Sequence, residues 1–123
     1  MAVRRLSERA LKQIMAGKTT DAATCIIKFY SNRCPMCHSL KEYYEDISED
    51  EKYSDLYFFA FNLDDGHNIE KLLKFEGTPT IVLMRTTSTP QKPKIRIMQE
   101  PEEPSEKTWY KTKDIRKFID KEK

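Results

Sequence analysis

The chain has 123 residues, of which 34% are charged and 38% hydrophobic, and its net charge is +2. That length holds one core, so a single domain over residues 1–123 is expected. A charge so close to balance builds no strong basic field for nucleic acid or an anionic bilayer, and no apolar run is long enough to span a membrane. In chain order, Val3, Leu6, Ala10, Ile14 and Met15 form a stripe at helical spacing that predicts a first helix stopped by Gly17. Arg4, Arg5 and Arg9 read as its solvated face, and this basic start has no uninterrupted apolar core of the kind an export signal needs, so a reducing, cytoplasmic setting is expected. Residues 19–23 are a polar connection, and Thr24 to Tyr30 is an apolar, β-branched run suited to a strand buried on both faces of a mostly parallel sheet. Pro35 suits the first position of the next helix, which puts Cys34 at the N-cap. Cys37, Leu40, Tyr44 and Ile47 then share one face up to an end near Asp50.

Leu56 to Leu63 fits a second buried strand, parallel to the first with the helix as crossover. Asp64, Asp65 and Gly66 turn the chain, and Ile69, Leu72, Leu73 and Phe75 mark a short helix closed by Gly77. Pro79 is tolerated only at the opening of the strand carried by Ile81 to Met84. Residues 86–93 link it to Lys94–Met98, whose alternation predicts an exposed edge strand. Residues 99–107 are acidic, carry two prolines and read as a solvated loop. Trp109 and Tyr110 lead into a last helix capped by Thr112 or Asp114, with Ile115, Phe118 and Ile119 buried, and Trp109 is expected away from the two cysteines.

The chemistry concentrates at the strand-to-helix junction. A thiolate at Cys34 is favoured by the unpaired N–H groups and dipole of the helix N-terminus, with Arg33 adding a positive charge beside it. Cys34 is expected to face solvent and attack a substrate disulfide, while Cys37, leaning into the core, resolves the mixed disulfide. Cys25 is left over as a small apolar strand residue.

The order of elements, with Cys34-Pro35-Met36-Cys37 opening the second helix and Thr78-Pro79 opening the third strand, resembles the thioredoxin fold from Leu6 onward. The resemblance implies an α/β architecture: a central mixed four-stranded sheet flanked by helices on both faces. It implies a cis bond before Pro79, packed against the dithiol, with the Thr78 backbone, Pro35 and Met36 facing the substrate. The activity implied is reduction or exchange of protein disulfides, with a redox-active Cys34–Cys37 disulfide and no other cofactor or metal. A separate dithiol or reductase would donate electrons to an expected monomer. Arg33 before the first cysteine and Pro35-Met36 between the two depart from thioredoxins towards the glutaredoxin pattern. Lys28 stands where thioredoxins bury a carboxylate, behind the resolving cysteine, and is expected either to sense Cys37 or to snorkel past the sheet edge.

Other readings are weaker. Cys34 to His38 matches C-x-x-C-H, a haem attachment pattern, but no helix-rich haem pocket is visible. A zinc site of Cys34, Cys37, His38 and His67 lacks a second paired-ligand motif. The competing functional class is a binding module, a thioredoxin-like subunit of a larger assembly in which the dithiol is incidental.

Overall fold

The computed structural model describes residues 3–19, 21–66 and 68–123. Their elements are β1 (Val3–Arg5), α1 (Glu8–Met15), β2 (Thr24–Tyr30), α2 (Pro35–Ser48), β3 (Tyr57–Asn62), α3 (Ile69–Leu73), β4 (Thr80–Arg85), β5 (Lys94–Ile97) and α4 (Thr112–Glu122). The sheet has five strands in the order β1-β3-β2-β4-β5. β1 and β2 both run parallel to β3, while β4 is antiparallel to β2 and to β5. The architecture is the one the resemblance implies, a mixed sheet with helices on both faces.

Alternation along the strands divides the interior in two. Ile26 of β2 points with Leu40, Tyr44, Phe58, Ile115 and Ile119 into the core under α2 and α4. Ile27 and Phe29 point the other way, to Leu11, Ile14, Phe61, Ile69 and Val82 beneath α1 and α3. Because β2 and β4 are covered on both sides, they read as mainly apolar runs in the sequence, interrupted in β2 by Lys28. Tyr44 ties the layers together, its hydroxyl donating to the carbonyls of Ile26 at 3.0 Å and Phe59 at 2.7 Å.

Three expectations are corrected. The sheet has a fifth strand, because Val3 belongs to β1 and not to the first helix: Ser7 caps α1 by accepting from the Ala10 N–H, so residues before it are free to pair with Phe58 to Ala60. The short helix ends at Lys74, which takes φ 64° itself, three residues before Gly77, and its Leu72 is 55% exposed. α4 is preceded by Lys111 with no side-chain cap, and neither Thr112 nor Asp114 holds that place. Gly17 does stop α1 as expected: it follows the C-cap Ala16 at φ +73°, where an added Cβ would stand 2.3 Å from the Gln91 backbone, so glycine is required there by contact as well as by conformation.

Candidate active site

β2 ends at Tyr30, and three residues of loop later Cys34 caps α2 in an extended conformation with Pro35 at the first helical position. The Cys37 N–H donates to Cys34 Sγ at 3.1 Å, so the helix directs an otherwise unpaired backbone donor onto this sulfur. Cys34 and Cys37 are joined as a disulfide with Cα atoms 5.2 Å apart. Cys34 does not stand out in solvent as expected: it is 7% exposed and Cys37 2%, because its sulfur turns back over the helix terminus. Both sulfurs are thus buried in the oxidised form, Cys37 slightly the deeper.

The loop before the cap is held from two sides. The Asn32 N–H donates to Asp64, the Asn62 amide donates to the Asn32 side chain at 2.8 Å, and Ser31 Oγ lies 3.4 Å from Thr78 Oγ1. Thr78 and Pro79 thereby sit beside the dithiol loop, joined by a cis peptide bond, with Pro79 buried. Arg33 is exposed, in a shallow depression with Ser31, Asn32 and Asp64.

Lys28 is the unusual residue. It is 4% exposed, with Nζ 5.3 Å from the Tyr44 ring centroid and 5.6 Å from that of Tyr30, so it does not snorkel past the sheet edge. Lys28, Cys37, Tyr44 and Glu45 line one cavity of ≈ 170 Å³ between β2 and α2. Burial lowers the amine to about 8, opposed by Glu45 and assisted by Lys41. Cys25, six per cent exposed, is pushed up to about 11 by burial and remains a neutral thiol.

Contrary to expectation, Trp109 is not away from the dithiol segment. It lines a groove of ≈ 400 Å³ with Met36, Thr78 and Pro79, although it lies beyond the acidic loop in sequence. Only the aromatic pair Trp109-Tyr110 next to a proline-rich loop hints at it, and that pattern carries no positional information. Among the described residues no group of three or more His, Cys, Asp or Glu is arranged to hold a metal ion, and His67 of the zinc alternative lies outside them. No helix among them is long and apolar enough to cross a membrane.

A family profile described as thioredoxin matches residues 3–101. No curated protein sequence matches the chain. Among solved structures, the thioredoxin of Malassezia sympodialis is 21% identical with a TM-score of 0.57, covering 77% of each chain. Chloroplastic thioredoxin z is 23% identical with a TM-score of 0.56, over 72% of this chain and 74% of its own. The J-Trx1 fragment of ERdj5 is 15% identical with a TM-score of 0.65, and the alignment spans 98% of this chain but 49% of that one. At these identities the structural matches establish the fold alone.

Proposed function

The chain belongs to the thioredoxin family, and from that premise we propose that it is a thiol–disulfide oxidoreductase acting on protein disulfides through Cys34 and Cys37. The observation that carries the reading is the pair itself: two cysteines at the first turn of α2, unequal in accessibility, with a backbone N–H on Cys34 Sγ. In the reduced protein the Cys34 thiolate attacks one sulfur of the substrate disulfide. That S–S bond breaks, and the departing thiolate takes up a proton. The Cys37 thiolate then attacks Cys34 Sγ in the mixed disulfide, forming the Cys34–Cys37 bond and releasing the second substrate thiolate. Two electrons pass from protein to substrate, and an external dithiol or reductase returns them.

Arg33 contributes positive charge on the loop that leads to Cys34, favouring its thiolate. Lys28 serves the second step, since its amine shares the cavity with Cys37 and, protonated, favours the resolving thiolate. Thr78 and Pro79, with Pro35 and Met36, form the surface that meets the substrate strand. A reducing compartment such as the cytoplasm suits a protein whose third cysteine is a buried free thiol.

The test is reduction of insulin with a dithiol donor, comparing the parent protein with Cys34→Ser. Turnover that the substitution abolishes supports the enzyme. A Cys34→Ser protein that keeps its full biological function would instead assign the fold to a binding role with an incidental dithiol.

A further inference from the structure

The groove beside Thr78-Pro79 is asymmetric in chemistry. Its walls are apolar where Met36, Ile97 and Trp109 line it, while Glu76 and Glu100 are its charged residues and no cationic residue lines it. Both carboxylate side chains belong to exposed residues, and neither is paired with a cation among the described residues. Trp109 holds φ +65°, a costly conformation for a bulky residue. It is kept there by a two-way backbone bridge, the Ser105 and Trp109 N–H groups each donating to the other's carbonyl at 2.9 Å. The segment that carries this wall lies past residue 101, where the family match ends. The groove is therefore furnished partly by residues that follow the matched stretch.

We infer that the groove between Met36, Pro79 and Trp109 is a specificity subsite for a lysine or arginine side chain next to the reactive cysteine of the substrate. The inference rests on the oxidoreductase reading above and adds the class of substrate to it. The aliphatic stem of such a residue would lie along Met36 and the Trp109 ring, and its cationic head would reach Glu76 and Glu100. A glutamate at the same place would meet two like charges instead. Continuity with the dithiol surface decides that the occupant is a residue of the substrate segment and not an unrelated ligand, since Met36 belongs both to the groove and to the stretch between the cysteines.

The test uses the full chain, reduced and freed of reductant, with three peptides identical except for Lys, Leu or Glu next to a cysteine activated as its thiopyridyl disulfide. Thiopyridone release gives the rate. At low ionic strength the Lys peptide should react about fivefold to tenfold faster than the Glu peptide, an exposed cation–π contact and an exposed ion pair each supplying a few-fold. The ratio should shrink as salt is added. In Glu76→Gln/Glu100→Gln it should fall to about twofold, leaving mainly the ring contact. Equal rates for all three peptides, well above that of free dithiothreitol, overturn the subsite and leave the oxidoreductase reading standing. A fastest Leu peptide, indifferent to the glutamine substitutions, also overturns it, in favour of an apolar side chain. Rates no higher than free dithiothreitol withdraw the catalytic reading, and the groove is then judged by binding. Trp109 is the only tryptophan, so its emission reports the groove directly. A saturable change with a serine-for-cysteine Lys peptide, absent with the Glu version, sustains the subsite, and identical titrations refute it.

Discussion

Lys28 sets the electrostatics behind the dithiol by a balance of two opposed effects. Burial favours the neutral amine, while a thiolate at Cys37, lining the same cavity, favours the cation. With the amine at about 8, the cation predominates at neutral pH and stabilises the reduced state. Lys28→Met, which keeps the stem volume, should therefore lower the reduction potential by about 10 to 30 mV, or about 0.5 to 1.4 kcal/mol for two electrons. An equilibrium titration against glutathione reads this, and an unchanged potential would assign Lys28 to packing alone. The same residue predicts a pH dependence of stability. Its amine lies near 10.5 when unfolded and about 8 when folded, so between those values the unfolded chain holds more protons and stability rises with pH. The parent should gain up to about 3 kcal/mol on Lys28→Met across that window, measured as the difference of their urea unfolding curves in the oxidised form. Thiol labelling gives a third expectation. In the reduced protein Cys34 should be alkylated ahead of Cys37, and Cys25, held neutral by burial, last. Mass spectrometry of quenched samples orders the three, and equal labelling of Cys34 and Cys37 would remove the distinction between attacking and resolving thiols.

Elements differ in how local their causes are. α2 is set by its own sequence: Cys34 caps it, Pro35 starts it, and Cys37, Leu40, Tyr44 and Ile47 supply a buried stripe that needs no knowledge of the partner. The end of α1 depends on a distant contact, since the Gly17 Cα faces the Gln91 backbone in the link between β4 and β5. Gly17→Ala should cost at least about 2 kcal/mol, from a left-handed conformation and a backbone clash together. A lowered urea midpoint with an unchanged slope is the expected signature. A midpoint within error of the parent would mean that this loop yields freely.

At the scale of the whole molecule, α4 is fastened to the turn after α2 by a compact ionic cluster. Lys52 Nζ lies 2.8 Å and Tyr53 Oη 2.9 Å from the Asp120 carboxylate, and Arg116 donates to Asp50 at 2.7 Å. The Lys52 side chain, chiefly, holds Asp120 below its ordinary pKa, while the Lys52 backbone N–H and then Arg116 do the same for Asp50. Carboxyls with depressed values contribute above the ordinary Asp range and lose that contribution as pH falls through it. α4 should consequently loosen first in acid. In Asp120→Asn at neutral pH, amides of Thr112–Glu122 should exchange several-fold faster while those of β2 and β4 keep their protection. Uniform acceleration throughout would show that α4 and the sheet open as one unit.

The sequence alone determined the elements whose information is local. Apolar runs of strand length marked β2, β3 and β4, helical stripes marked α2 and α4, and the spacing Cys34-Pro35-Met36-Cys37 at a strand-to-helix junction identified the dithiol. Tertiary structure decided whatever depends on a partner far along the chain. Val3–Arg5 is a strand only because Phe58 to Ala60 offer it an edge, and its three residues carry no period of their own. Lys28 is a buried amine beside Cys37 because β2 runs beneath α2 with that side uppermost, a choice of burial that a lone lysine in an apolar run leaves open. Trp109 reaches Met36 and Pro79 through the return of an irregular loop, whose path is set by the Ser105 bridge and the packing of Tyr110 and not by any periodicity. Periodicity records which face of a segment is dry, whereas the meeting of distant segments is recorded only in the packed core.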